Sequence, residues 1–488
     1  MNAYQQGLAL SAKGQHAEAI ARFEQALAAT PDDTRVLFAL GNTARTLGLA
    51  RPAEAFFRRV LDAEPERLEA LVNLANLLRS QGQFDGAERL LAPALARNPD
   101  SAELWLTLGS VHRETGDRLR AAEHYREALA RKPDYAPALG NLADLVADDG
   151  QTDDALALYD RAIKLEPQNA QARLNRAVLH LLRGDLKSGW RDYAARLKLP
   201  GKVPVAQHGL PRWNGEPLKH RRLLVTAEQG IGDQIMFASM IGDLAANLVL
   251  ECEPRLVSLF ARSFPSAAVH AWHAQTHGGM TTIRYGWLKS AGGANCAIEM
   301  GGLPRILRRD LESFPRPHSY LVADAEETAR WRTLFGPAIG ICWRSGKLGG
   351  HRNLQYAPLE AWAAFLRRVP GTVVSVQYDA TLEEIATLEA MSGRAILMPR
   401  DIDQKNELDR TCALLAALDA VVSAPTAVSW LAAATGTPTF KILYDNSWTS
   451  FGENHEPFAP ACTCVMPATR GNWTEVFDRT LTMLPWRA

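Results

Sequence analysis

The sequence predicts an α-helical repeat array followed by two α/β lobes, each built on a parallel sheet. Three observations carry this reading. A 34-residue period runs through the first 200 residues. The second half alternates short apolar runs with longer amphipathic ones, the pattern of a parallel sheet covered on both faces. The 488 residues are roughly three to four times the usual domain length of about 150, so two or three domains are expected.

The repeats come first in the chain. Pro31, Pro65, Pro99, Pro133 and Pro167 fall 34 residues apart. Gly14, Gly48, Gly82, Gly116, Gly150 and Gly184 keep the same register, as do Ala19, Ala53, Ala87, Ala121 and Ala155. A third series is Phe23, Phe57, Leu91, Tyr125 and Tyr159. The glycines suit a turn between paired helices, and the alanines allow close helix packing. The large residues fill the space between units, and each proline ends the second helix of its unit. Asp32, Asp100 and Asp134 are candidate caps of the following helix. Five full units and a sixth that degrades after Gly184 fill residues 1–196. A coiled coil would need a seven-residue period, which is absent.

Residues 197–222 are Pro-rich and basic without apolar periodicity, and read as a linker in which Trp213 is packed. Leu223–Thr226 is a buried-strand run, followed by the turn Ala227–Asp233 and a helix reaching Ala246. Strand, glycine turn and helix open a Rossmann-like unit. The spacing G-x-G-D is not that of a dinucleotide fingerprint, which argues against a dehydrogenase. Strands at Leu248–Cys252 and Thr281–Tyr285 and a helix at Arg255–Arg262 complete a lobe spanning 223–316. In the second lobe, 317–488, helices are expected at Asp324–Leu334, Leu359–Arg368, Leu382–Met391, Asn406–Leu418 and Ala427–Thr435. Its strands are expected at Ala338–Trp343, Thr372–Gln377, Ala395–Met398, Ala420–Ser423 and Thr439–Leu443.

Composition narrows the function. Lys+Arg and Asp+Glu number 54 each, so no cationic surplus points to a nucleic-acid partner. No run of about 18 apolar residues predicts a membrane span, and no signal-peptide pattern opens the chain. The six cysteines are too sparse for a disulfide framework, and a cytoplasmic protein is expected.

The repeat pattern resembles the tetratricopeptide repeat, which implies a groove for a protein partner. Four later stretches resemble bacterial tetratricopeptide glycosyltransferases of the two-lobe (GT-B) type. They are PRWNGEPL with LLVTAEQGIGD, IGICWRSG, LLAALDAVVSAPTAVSWLAAATGTPTF, and SWTSFG…PF. The second and third also resemble the donor lobe of lipopolysaccharide heptosyltransferases. A subset of the family modifies flagellin on Ser or Thr, often with a nonulosonic sugar. The resemblance implies that role, with flagellin as acceptor in the repeat groove, and a metal-independent, inverting transfer. No cofactor is implied beyond a UDP- or CMP-linked sugar as co-substrate.

The same resemblance assigns the site. Asp233 matches the catalytic base of heptosyltransferases; read from its position alone, it equally suits the cap of the following helix. Glu228, Gln229, Gly230 and Gly232 share its loop on the acceptor side, and Trp448 is a candidate stacking wall. Trp343, Arg344, Ser345, Gly346, Lys347 and Arg352 are candidates to hold the donor phosphate, with Gln377 and Tyr378 toward the base or ribose. Thr426, Ala427 and Val428 stand at a strand-to-helix turn that suits a phosphate. Heptosyltransferases carry Asp where Pro425 stands and His where Trp430 stands. This departure supports the alternative, a non-catalytic scaffold with a degenerate transferase region. Asp401-Ile402-Asp403 fits a metal-diphosphate motif but reads better as a capping loop. His270, His273 and His277 read as a surface loop rather than a metal site.

Overall fold

The computed structural model describes the chain except residues 200–204, 228–229, 245–246, 278–279, 316–318, 347–352, 354 and 486–488. The chain divides into two compact units, Met1–Ala172 and Arg173–Ala488.

The first unit is the repeat array. Its paired helices are α1 (Ala3–Ala12) with α2 (His16–Ala29), α3 (Thr34–Thr46) with α4 (Ala50–Ala63), and α5 (Leu68–Ser80) with α6 (Phe84–Arg97). Then follow α7 (Ala102–Glu114) with α8 (Arg118–Arg131), and α9 (Ala136–Asp148) with α10 (Thr152–Leu165). The repeat glycines all sit at positive φ, between 73° and 85°. The alanine series is buried, and so is the Phe/Leu/Tyr series. Each such large side chain is worth about 1.5–3 kcal/mol of burial.

Facing Phe23, Phe57 and Tyr125 stand Gly7, Gly41 and Gly109, where an added Cβ would fall 2.5, 2.6 and 2.7 Å from a ring carbon. The ring of one helix therefore lies against the bare backbone of its partner. The capping expectation needs correction by one residue. Asp33 and Ser101, not Asp32 and Asp100, accept from the first-turn amides, and Tyr135 rather than Asp134 takes the cap position without a side-chain bond. The Pro-Asp pair is spent on the turn that precedes the cap.

The sixth repeat, α11 (Ala170–Leu182) and α12 (Leu186–Tyr193), lies almost wholly in the second unit. Ala177, Leu181, Leu186, Trp190 and Tyr193 share one core with Phe237, Phe451 and Phe458 of the α/β region. The compact units divide at 172/173, within the sixth repeat, whose aromatic residues pack on the α/β region.

The first lobe contains β1 (Val205–Gln207), β2 (Leu223–Thr226), β3 (Leu248–Cys252), β4 (Ala267–Ala271), β5 (Ala274–His277), β6 (Met280–Arg284) and β7 (Cys296–Glu299). Its helices are α13 (Ile231–Ala238), α14 (Val257–Ser263) and α15 (Pro304–Leu307). The central sheet runs β4-β3-β2-β7, all parallel. A second, mixed sheet runs β1-β6-β5, so the expected strand at 281–285 lies outside the central sheet. The helix expected to reach Ala246 stops at Ala238. The expected linker 197–222 is partly structural: β1 pairs with β6, and the Trp213 amide donates to Ala297 O at 2.8 Å. The expected lobe boundary at 316/317 lies outside the described residues.

The second lobe follows the expected alternation: α16 (Ala325–Phe335), β8 (Ala338–Cys342), α17 (Leu359–Leu366), β9 (Thr372–Ser375), α18 (Leu382–Ser392), β10 (Ile396–Leu397) and α19 (Leu408–Ala416). It continues with β11 (Ala420–Ser423), α20 (Ala427–Ala434) and β12 (Thr439–Ile442), then adds β13 (Cys462–Val465) and α21 (Trp473–Met483) beyond the expected elements. The parallel sheet runs β10-β9-β8-β11-β12-β13. Strand order reverses between β8 and β11 here, and between β2 and β7 in the first lobe. Such reversals leave a crevice at the carboxyl ends of the strands, because the connections depart to opposite faces.

Candidate functional site

The two reversal points supply the loops of one cavity. The carboxyl end of β2 leads into α13, that of β8 into Trp343–Ser345, and that of β11 into α20. Gly232 and Asp233, Ser345, and Pro425, Thr426, Ala427 and Trp430 line a cavity of about 540 Å³, together with Gln355 and Tyr356. The N-termini of α13 and α20 pack against each other there. A Cβ on Gly232 would lie 3.5 Å from the Ala427 Cα and 3.5 Å from the Trp430 ring. Two helix N-termini aimed at one crevice give it a positive dipolar field.

Asp233 takes the capping role and also stands in the cavity wall. One carboxylate oxygen accepts from the Gly230 amide at 3.2 Å, which caps α13. The side chain also lines the cavity. Burial pushes its pKa above the ordinary carboxylate value, against the Gly230 amide and the Arg196 charge. A carboxylate with a raised pKa is a stronger proton acceptor. Glu228 and Gln229 lie outside the described residues.

The β8 loop differs from expectation. The Arg344 guanidinium is not part of the cavity lining. Its Nε and Nη2 donate to Glu384 at 2.6 and 2.7 Å, and its Nη1 donates to Asp379 at 3.0 Å. Burial opposes the charge on Glu384, yet Arg344, the Thr381 amide and the Trp343 indole bring its carboxyl down to about 2. Arg344 is thus a strut between β8 and α18, neutralised by two carboxylates, and not the expected phosphate clamp. Trp343 is buried, with its indole N–H on Glu384 at 3.3 Å. Gln377 is also committed internally: its Oε1 accepts from the Trp343 and Arg344 amides, both at 3.0 Å, and its Nε2 donates to Asp379. The Tyr378 hydroxyl accepts from the Gly346 amide at 2.6 Å. A Cβ on Gly346 would meet Asp379 Oδ2 at 2.7 Å, so this close approach needs glycine. Among the described residues of the β8–α17 connection, Ser345, Gln355 and Tyr356 line the cavity. Lys347 and Arg352 lie outside the described residues.

At α20 the expected turn is present. The Thr426 hydroxyl accepts from the Val428 amide at 3.3 Å as the helix cap, so that amide already has a protein partner. Thr426 and Ala427 line the cavity. Trp448 instead joins an aromatic cluster, 5.5 Å from the Tyr193 ring and 6.3 Å from that of Trp190.

Two buried charges escape the sequence reading. Lys441 on β12 pairs with Glu456 at 2.6 Å, both almost fully buried, and its ammonium lies 3.9 Å from the Trp430 ring centroid. Burial works against the Lys441 charge, but Glu456 holds its pKa above the ordinary value. Glu251 on β3 is fully buried, and burial lifts its carboxyl to about 7 despite bonds from Tyr285 and the Ala227 amide. A lone charge within an otherwise apolar strand (TFKI, LVLEC) is the available signal.

The competing motifs take structural roles. Asp401 pairs with Arg330 at 2.9 Å, and Asp403 caps its own loop through the Lys405 and Asn406 amides. His270 stacks on Trp287 at 4.4 Å. Among the described residues no cluster of three or more His, Cys, Asp or Glu is placed to hold a metal. No described helix is long and apolar enough to cross a membrane.

Comparison with known proteins bears mainly on the repeats. The tetratricopeptide repeat family matches residues 4–67, and the middle TPR-like domain of cilia and flagella-associated protein 70 matches residues 71–185. The chain is 33% identical over 323 residues to Protein FlbA of Caulobacter vibrioides, a match covering 63% of this chain and 54% of that protein. The chain thus spans about half the length of the curated relative it matches. That match is longer than the whole repeat array, so it reaches into the α/β region. Among solved structures, a thermophilic TPR protein of Thermus thermophilus is 29% identical, with a TM-score of 0.33, covering 37% of this chain and 97% of that one. PilF of Pseudomonas aeruginosa is 21% identical, with a TM-score of 0.35, covering 40% of this chain and 88% of that one. The N-terminal region is a tetratricopeptide superhelix, followed by a region of parallel sheets.

Proposed function

We propose that the chain is a protein O-glycosyltransferase of the two-lobe, Rossmann-like type, moving a sugar from a nucleotide-linked donor to Ser or Thr of a protein acceptor such as flagellin. The observation that carries this reading is the shared cavity: Asp233 from one reversal point, and Ser345, Thr426 and Ala427 from the other. Asp233 takes the proton of the acceptor hydroxyl. The hydroxyl oxygen attacks the anomeric carbon as the bond to the nucleotide phosphate breaks, with inversion. The departing phosphate carries the electron pair and rests at the N-terminus of α20. The repeats hold the acceptor protein, which raises the local concentration of its hydroxyl at the cavity.

A second reading is a tetratricopeptide scaffold whose α/β region has lost transfer. The engagement of Arg344 by Glu384 and Asp379 favours it, as do Pro425 and Trp430 in the cavity wall. Mass spectrometry of flagellin co-expressed with the full chain separates the two. The transferase reading expects a mass gain with the wild type that Asp233→Ala abolishes. No gain with donor-producing cells leaves the scaffold. An equal gain with Asp233→Ala removes the base from its role.

A further inference from the structure

The carboxyl end of β3 lies against both sides of the turn that delivers Asp233. Glu251 Oε2 accepts from the Ala227 amide at 3.2 Å, at the start of that turn. Two residues on, the Glu253 amide donates to Gln234 Oε1 at 2.9 Å, directly after Asp233 in α13. The Tyr285 hydroxyl donates to the same Glu251 oxygen at 3.0 Å. The other oxygen, Oε1, is buried and has no partner among the described residues. An ionisable group held without water and half-satisfied costs stability, and a neutral side chain of the same shape would not incur that cost. Retaining a carboxylate here needs a reason beyond packing.

We infer that Glu251 is a positioning residue: with Tyr285 it clamps the entry of the β2–α13 turn and so fixes Asp233 in the cavity. The inference rests on Asp233 being the base. Its lever is charge. The bonds from Tyr285 and the Ala227 amide offset the cost of burying an ionised Glu251 only in part, so the neutral carboxyl holds the clamp closed and ionising it loosens the turn. The carboxyl titrates near neutrality, where burial has placed it. His270 on β4 is its register partner, and burial, then the Arg222 charge, lowers that imidazole's pKa. Tyr285 faces it from the end of β6, with the His208 ring 5.4 Å from the Tyr285 ring. Cys252 follows on the same strand with Glu253 just beyond its end, and Glu299 on β7 adds to the field at Tyr285. Burial holds the Tyr285 phenol far above its ordinary pKa, so it remains a donor throughout.

The test uses the full chain and has a readout that needs no transfer. Hydrogen exchange of the peptide Leu224–Met236, corrected for intrinsic rates, is followed at pH 6 and pH 8. The clamp expects the wild type to exchange about tenfold faster at the higher pH, because a carboxyl whose pKa is raised in the closed form favours the open one once it is ionised. Glu251→Gln keeps the shape and one acceptor, and is expected to exchange equally at both. Tyr285→Phe removes the donor that favours the ionised form and is expected to move the step to higher pH. A wild type without the step, or a Gln variant that keeps it, overturns the inference. In transfer assays, Glu251→Gln is expected to lose the same step from kcat while the donor KM stays put; parallel losses in both, with a lowered Tm, would mark a merely structural residue. A wild type inactive at every pH would sink the transferase reading and still leave the exchange result to decide the clamp.

Discussion

The repeat unit and the α/β unit solve the same packing problem with different reach. In the repeats Phe23, Phe57 and Tyr125 each meet a glycine of their own helix pair, as Phe57 meets Gly41. Every such contact is local, and a 34-residue period writes it out again and again. In the α/β unit the decisive contacts join distant segments: Gly232 against Ala427, Arg344 against Glu384. The first kind of unit stores its information in spacing. The second stores it in pairs of residues that no spacing announces.

The contrast can be broken at its most consequential point first. Asp233→Ala is expected to cut transfer by about 10²–10⁴, the usual contribution of a general base, with the fold retained by circular dichroism. Next comes Glu251. Its folded pKa of about 7 stands above the ordinary 4.5, so the stability it gives is complete below pH 4.5 and is lost as pH rises through 7. Glu251→Gln is therefore expected to unfold later than the wild type at pH 8, by about 3 kcal/mol, and to match it near pH 4.5 in urea titrations. A wild type as stable as the variant at pH 8 would mean the carboxylate is solvated. In the repeats, Gly41→Ala forces a Cβ into the Phe57 ring and is expected to cost about 1–3 kcal/mol, read as a lower Tm of the repeat transition. The smallest effect is Ser101→Ala, which removes a helix cap worth about 1 kcal/mol. A larger loss from Ser101→Ala than from Gly41→Ala would reverse the order that local ring-on-backbone packing implies.

What can be read from the chain follows the same division. The helix pairs, their turns and their buried series are legible because proline, glycine and alanine recur in fixed register. The caps are displaced by one residue, since Asp32 and Asp33 look alike in a string and only backbone direction separates them. In the second lobe β11 falls where it is expected to the residue, because Ala420–Ser423 is bounded by a buried apolar run and a helix cap. The strands β1, β4, β5, β7 and β13 escape, although Pro265 before β4 and Gly292-Gly293 before β7 are turn signals that bound such segments. Asp233 and Thr426 reach the cavity as expected because glycine turns and helix caps are local features. Arg344 does not, because its neutralising partners lie 35 and 40 residues further along the chain. Nothing near the guanidinium in sequence foretells them.

The sixth repeat has a practical corollary for dissecting the protein. Trp190 and Tyr193 cover Phe237, Phe451 and Phe458, so a fragment begun at residue 197 would bare a slab of aromatic surface to water. Such a piece is expected to aggregate, whereas one begun at residue 173 keeps its lid. The scissors belong near the start of α11, one helix pair earlier than the period alone would place the cut.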